Sequence, residues 1–209
     1  MTHNPDSPGA PRNVARAVVT KAGDVFFLSE QNGELPPHSQ DGFGLYYHDC
    51  RYLDGYRIRF AGTPSNVLVS AANQGSIAQF ELTNEQFQLS QRETVAAQTF
   101  GVHLERVIDG DQLAVHDVIT IDNYDVQRHE LPVSLDFESH SGNSAEYRLK
   151  LNAGGREQLK ISFQLERQKK GQPSVSDSGQ SPMRLRMELI ARRRHGSPAT
   201  PRYIRTACN

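Results

Sequence analysis

Tryptophan is absent from this chain of 209 residues, and there are only two cysteines, Cys50 and Cys208. Two cysteines cannot build the disulfide framework that holds small secreted domains together, so the expected compartment is reducing. Cys50 is accordingly expected to be a reduced, largely buried thiol that is not bonded to Cys208. No apolar run approaches the roughly 20 residues that span a bilayer as a helix, which predicts no membrane association. Residues 1–13 contain three prolines and no hydrophobic segment, so they read as a disordered leader and not as a secretory signal. A cytoplasmic location follows as an expectation. Nor does any strand-like stretch alternate with a long amphipathic helix, which excludes a βαβ architecture. No repeat of fixed period is present.

What is there is enough for one domain with a real core: 36% of residues are hydrophobic and 22% are charged. The net charge of −1 is unevenly spread, because residues 167–209 hold ten of the 23 Lys+Arg and two of the 24 Asp+Glu. An acidic body therefore carries a basic tail. Such asymmetry suits either a tail for an acidic partner or a segment of different origin from the body. Arg192 to Arg194 lack interleaved aromatics and make a weak nucleic-acid signal, so nucleic acid is not an expected partner. Within the tail, 171–182 is Ser/Gly/Gln/Pro-rich linker material. A short helix is expected over 183–194, and the remainder is expected to be unstructured and unpacked.

The body, 14–166, reads as strands. Val14–Thr20 and Asp24–Ser29 make a hairpin around a glycine turn. Residues 30–42 are a loop marked by Asn-Gly, Pro-Pro and Asp-Gly pairs. Short strands follow at 67–69 and 76–83, and 84–97 is polar, with Phe87, Leu89 and Val95 as anchors. The clearest element is a hairpin from Gln98 to Asn123. Its Asp109-Gly110 pair signals a two-residue turn, which would set Leu104 opposite Val115 and His103 opposite His116. Phe100, Val102, Leu104, Ile108, Leu113, Val115, Ile119 and Ile121 form its apolar face. Thr99, His103, Glu105, Gln112, His116 and Thr120 form a polar one. Residues 126–137 continue the alternation, and Tyr147–Leu151 with Gln158–Leu165 are expected to close the domain as a last hairpin around Asn152–Gly155. Many strands joined by Gly, Asp and Asn turns predict an antiparallel β-sandwich.

One stretch stands apart. Residues 44–60 hold four tyrosines, a His-Asp pair and three arginines within seventeen positions. In its second half Tyr56, Ile58 and Phe60 alternate with Arg57 and Arg59, as in a half-buried strand. The first half carries rings whose polar tips need partners, and a turn at Asp49 between His48 and Arg51 would supply them. Gly44, Leu45, Tyr46, Tyr47, Asp49, Arg51, Tyr52 and Leu53 together resemble the N-terminal domain of bacterial glycogen debranching enzymes of the amylo-α-1,6-glucosidase type. Cys50 stands where that family usually has Thr, and Asp54 where it has Ser. The resemblance extends more weakly from Val18 to Phe137 and again over 145–165. It implies a β-sandwich (supersandwich-like) set beside a helical catalytic toroid, with the catalytic acids in that helical domain. After Asp136-Phe137 the family's run of strands is not matched, so the second sheet is expected to be shortened.

Several residue groups carry possible chemistry. His48, Asp49 and Arg51 are either a general-base dyad with an anion clamp or a charged turn that holds the motif's shape; neighbours in a strand point to opposite faces, which favours the second. His103 and His116 with Glu105 could bind a divalent metal, or be ordinary polar residues of a solvated sheet face. Cys50 is a nucleophile beside His48 or a small buried residue in place of Thr. Glycosidases use two carboxylic acids. Glu81, Glu85, Glu93, Glu105, Asp117 and Asp136 are available, but no pair stands out.

The resemblance implies a non-catalytic domain of glycogen metabolism that contacts α-glucan or a glycoside hydrolase catalytic domain, with no cofactor. Tyr46, Tyr47, Tyr52, Asp49 and Arg51 are the contact candidates, with at least one of the three rings partly exposed. Two alternatives stand beside it: a truncated remnant without activity, and a free-standing glycoside hydrolase using Asp49 or Glu105.

Overall fold

The structure is a computed structural model that describes residues 17–37, 41–53, 55–60, 67–91, 93–138, 143–167, 183–192 and 204–207. The leader at 1–13 and the linker at 171–182 lie outside these residues.

The described chain is all β. β1 (Val18–Ala22) and β2 (Val25–Ser29) form the expected hairpin, turning at Gly23-Asp24, where Gly23 takes a φ of +59°. The tyrosine-rich stretch becomes β3 (Gly44–Tyr47), β4 (Cys50–Leu53) and β5 (Gly55–Phe60). β1 to β4 make a four-stranded sheet in sequence order. β5 instead pairs with β12 (His129–Glu138), which pairs with β13 (Asn143–Leu151), giving a three-stranded sheet.

The remaining long strands build a seven-stranded antiparallel sheet. They are β6 (Val67–Gln74), β7 (Ile77–Thr83), β10 (Phe100–Asp109), β11 (Ala114–Asn123), β14 (Arg156–Arg167), β15 (Met183–Arg192) and β16 (Ile204–Ala207). β8 (Phe87–Ser90) and β9 (Glu93–Val95) are a small separate hairpin, anchored by Phe87 and Val95 as expected. Phe27 and Leu45 from the four-stranded sheet, Tyr56 and Val133 from the three-stranded one, and Phe80, Ile119 and Phe163 from the seven-stranded one share a single core. The Tyr56 and Phe163 rings meet edge to face at 5.3 Å across that core.

The 98–123 hairpin has the expected faces but a different register. Asp109 Oδ1 accepts the N–H groups of Asp111 and Gln112 at 3.0 and 2.9 Å. This side-chain cap makes Gly110–Leu113 the turn, closed by Leu113 at a φ of +52°. Leu104 therefore pairs with Ile119 and His103 with Thr120. The register moves by an even number of residues, so inside stays inside while every cross-strand partner changes.

Three expectations for the C-terminal half are corrected, the first being the unstructured end of the tail, where Ile204–Ala207 is strand β16 paired with β15. Tyr147–Leu151 and Gln158–Leu165 do not form a hairpin: β13 pairs with β12, and β14 with β11 and β15. The Asn152–Gly155 turn carries the chain between sheets, held by Asn123, whose Nδ2 donates to the carbonyls of Gln127 and Asn152 at 2.8 and 2.9 Å. The expected helix at 183–194 is also absent, since Met183–Arg192 is strand β15, paired with β14 along its whole length. Its apolar residues alternate, and Leu185 and Met187 are 3% exposed within the core. Leu185→Ala is expected to cost about 2–5 kcal/mol. A chain ending at Pro182 is expected to melt several degrees lower, where a separate tail would leave the melting temperature unchanged. Thermal unfolding of both variants checks this.

Candidate functional site

The tyrosine-rich motif is a tight hairpin. Tyr47 pairs with Cys50 around His48-Asp49, and His48 takes a φ of +51°. Its residues divide by burial. Tyr52 is a core residue at 4% exposure. Tyr46 is half-buried, stacks on Phe26 at 4.7 Å between centroids, and donates its hydroxyl to the Gly42 carbonyl at 2.7 Å. Tyr47 is half-buried with its ring 4.1 Å from that of His48. His48 and Asp49 are exposed. Asp49 lies in the turn itself, between Tyr47 and Cys50, and among the described residues no Asp49–Arg51 ion pair is present.

Arg51 is turned back over the strand. Its Nη1 donates to the Phe43 carbonyl at 3.5 Å. Its side chain covers Gly44, where an added Cβ would lie 2.7 Å from both Arg51 Cδ and the Leu53 carbonyl oxygen. A flexible arginine could withdraw, but a backbone carbonyl in a paired strand cannot. Gly44→Ala is expected to destabilise the domain by roughly 1–3 kcal/mol, measured by urea unfolding.

Cys50 is corrected. It is half-buried and disulfide-bonded, its partner sulfur lying outside the described residues. The C-terminal segment is not separate from the body, since β15 lies against β4, the strand that carries Cys50.

Beside Tyr47 the surface opens into a cleft of about 510 Å³. One wall is the Gly23-Asp24 turn with Ala22, and the other is the turn from Asp109 to Leu113. Tyr47 is the aromatic group that the motif contributes to it.

The metal pair does not form. His116 sits opposite Val107, four positions along β10 from His103, which is roughly 13 Å of strand. His103 Nδ1 bonds Glu81 Oε1 at 2.7 Å, and His116 Nδ1 bonds the Ser162 hydroxyl at 2.9 Å. Among the described residues no group of three His, Cys, Asp or Glu could hold a metal ion.

Sequence reasoning missed the most charged place in the core. Arg106 and Asp117 lie on the apolar faces of β10 and β11, and the observed register sets them directly opposite. Both side chains are 0% exposed. Arg106 Nε and Nη2 donate to the two Asp117 oxygens at 2.8 and 2.7 Å. The guanidinium lies over the Phe27 ring at 3.7 Å, with Tyr56 and Phe80 at 5.7 and 5.8 Å. One residue from each of the three main sheets thus surrounds the cation. Burial pushes the Tyr56 phenol well above its usual range, and the nearby Asp117 carboxylate adds to this.

Two further groups were not anticipated. Glu34 is buried in the 30–42 loop, and burial pushes its carboxyl up to about 7, against the opposing pull of Arg57 and Arg59. His129 is buried between Glu93 and Asp125, each 2.9 Å from a ring nitrogen. The hydrogen bond from His129 lowers the Asp125 carboxyl below its usual value. One legible signal was a lone charge on each apolar stripe, at 106 and 117.

The family model for the N-terminal domain of (some) glycogen debranching enzymes matches residues 20–140, from β1 through β12 and including the tyrosine motif. The chain belongs to this family. No curated protein matches the chain. The match to the debranching-enzyme domain ends before β13, β14 and β15, so the strands that extend the seven-stranded sheet lie beyond it.

Proposed function

We propose that the chain is a non-catalytic domain of glycogen debranching that holds α-glucan beside a helical glucosidase domain. Membership of the debranching-enzyme N-terminal family carries this reading. Of the two acids open to a free-standing hydrolase, Asp49 is on the β3–β4 turn of the four-stranded sheet, while Glu105 is on β10 of the seven-stranded sheet and accepts from Gln79 Nε2 at 2.9 Å. Glu34, whose carboxyl is pushed upward, is buried and does not line the cleft.

Co-sedimentation of the purified chain with glycogen, and pull-down with a separately expressed helical debranching domain, test the reading. Retention by glycogen without release of reducing sugar is the expected result. No retention by either at tens of micromolar would end it. The reading also puts the domain in the cytoplasm with the glycogen store. The disulfide at Cys50 runs against that compartment, and alkylation of Cys50 in protein taken from intact cells would favour it.

A further inference from the structure

We propose that the cleft beside Tyr47 is a subsite for one glucosyl unit of a neutral α-glucan chain, with the Tyr47 ring as its platform. This rests on the glucan-binding reading above and adds the place and the groups. The cleft volume of about 510 Å³ lies within the roughly 300–1,000 Å³ of small-molecule sites. Its lining combines Tyr47 and Leu113 with three aspartates, Asp24, Asp109 and Asp111, and includes no Lys or Arg.

That combination selects the chemistry of the ligand. An anion is refused by three carboxylates with no cation among them. A divalent metal needs its acids gathered at one point, and among the described residues no such group exists. A purely apolar ligand would strand the carboxylates without partners. A pyranose satisfies both kinds of surface. Its C–H face lies on an aromatic ring, as amphipathic ligands do on tyrosine, and its hydroxyls donate to carboxylates. Asp24 and Asp111 are exposed and able to accept. Asp109 already uses Oδ1 to accept from Asp111 and Gln112, which leaves Oδ2.

The walls are fixed before any ligand arrives. Lys21 N–H donates to the Gly75 carbonyl at 2.9 Å, beside the Gly23 turn. Ile108 N–H donates to the Ser76 carbonyl at 2.8 Å, and Leu165 N–H to the Leu113 carbonyl at 3.0 Å. Leu113 is held in the left-handed region at a φ of +52°. A pinned cleft loses little ordering entropy on binding, which favours a weak, rigid subsite over a closing loop.

Calorimetric titration with maltoheptaose tests the assignment. Tyr47→Ala is expected to weaken binding by about tenfold or more. The double variant Asp24→Asn/Asp111→Asn is expected to weaken it several-fold. Tyr124→Ala, at a tyrosine that is 68% exposed but outside the cleft, is expected to bind as wild type does. The aspartates are exposed, so the double variant reports on binding even if Tyr47→Ala fails to fold. Unchanged affinity in the double variant and in folded Tyr47→Ala, with wild type still binding, overturns the subsite and leaves the glucan reading standing. Wild type that binds neither maltoheptaose nor glycogen overturns both.

Discussion

Asp117→Ala and Arg106→Ala are each expected to destabilise the domain by about 3–5 kcal/mol, the usual cost of leaving one buried charge alone. In a chain of this size that lowers the melting temperature by roughly 10 °C. The cost arises because the surviving partner cannot reach water: both side chains are 0% exposed. For Arg106 the deletion also empties the space between Phe27, Tyr56 and Phe80. The double variant Arg106→Met/Asp117→Leu should recover most of the loss, because apolar groups of similar volume need no partner there. Urea unfolding of wild type, both singles and the double gives the coupling directly. A single-variant cost below about 1 kcal/mol would show that water reaches the pair, and would remove it as the organising contact of the core.

The second large effect is pH dependence from Glu34. Its carboxyl moves from the usual 4.5 to about 7 on folding because burial disfavours the charge. A raised folded value means that the native state holds a proton which the unfolded chain has released. The stabilising contribution is therefore complete below pH 4.5, declines as pH rises towards 7, and is lost above it. The whole decline corresponds to about 3 kcal/mol. Glu34→Gln stays neutral throughout, so its stability relative to wild type is expected to rise across that window and then level off. Urea unfolding at pH 4.5, 6 and 8, read as the difference between the two proteins, isolates the contribution of Glu34. A difference that does not change with pH would mean that Glu34 is solvated or ion-paired in the native state. Asp125 acts with the opposite sign: its lowered carboxyl contributes above the ordinary value of 3.8, and that contribution is lost on acidification below the Glu34 window.

The strand pattern was legible because burial in a strand has a period of two. The β7 residues Ala78, Phe80 and Leu82 and the β12 residues Leu131, Val133 and Leu135 face the core as their alternation requires. The tyrosine motif was legible as a site but not in its division of labour. Tyr46, Tyr47 and Tyr52 are alike in sequence, yet one is a core ring, one is tied to Gly42, and one lines the cleft. Which role each takes depends on what lies across the sheet, and residue type carries no record of that.

Composition and alternation alone determined that this chain is an antiparallel β protein and which faces of the 98–123 hairpin are apolar, and the residues of the tyrosine motif carried the resemblance to its family. These are local properties, set by side-chain period and turn chemistry within a few residues. Only the tertiary structure decided the pairing of Arg106 with Asp117, the joining of β15 to β14, and the placing of Tyr47 and the 109–113 turn on one cleft. Each depends on register or on contact between distant segments. An even register shift, caused here by one aspartate capping its own turn, changes every cross-strand partner while leaving the hydrophobic pattern untouched.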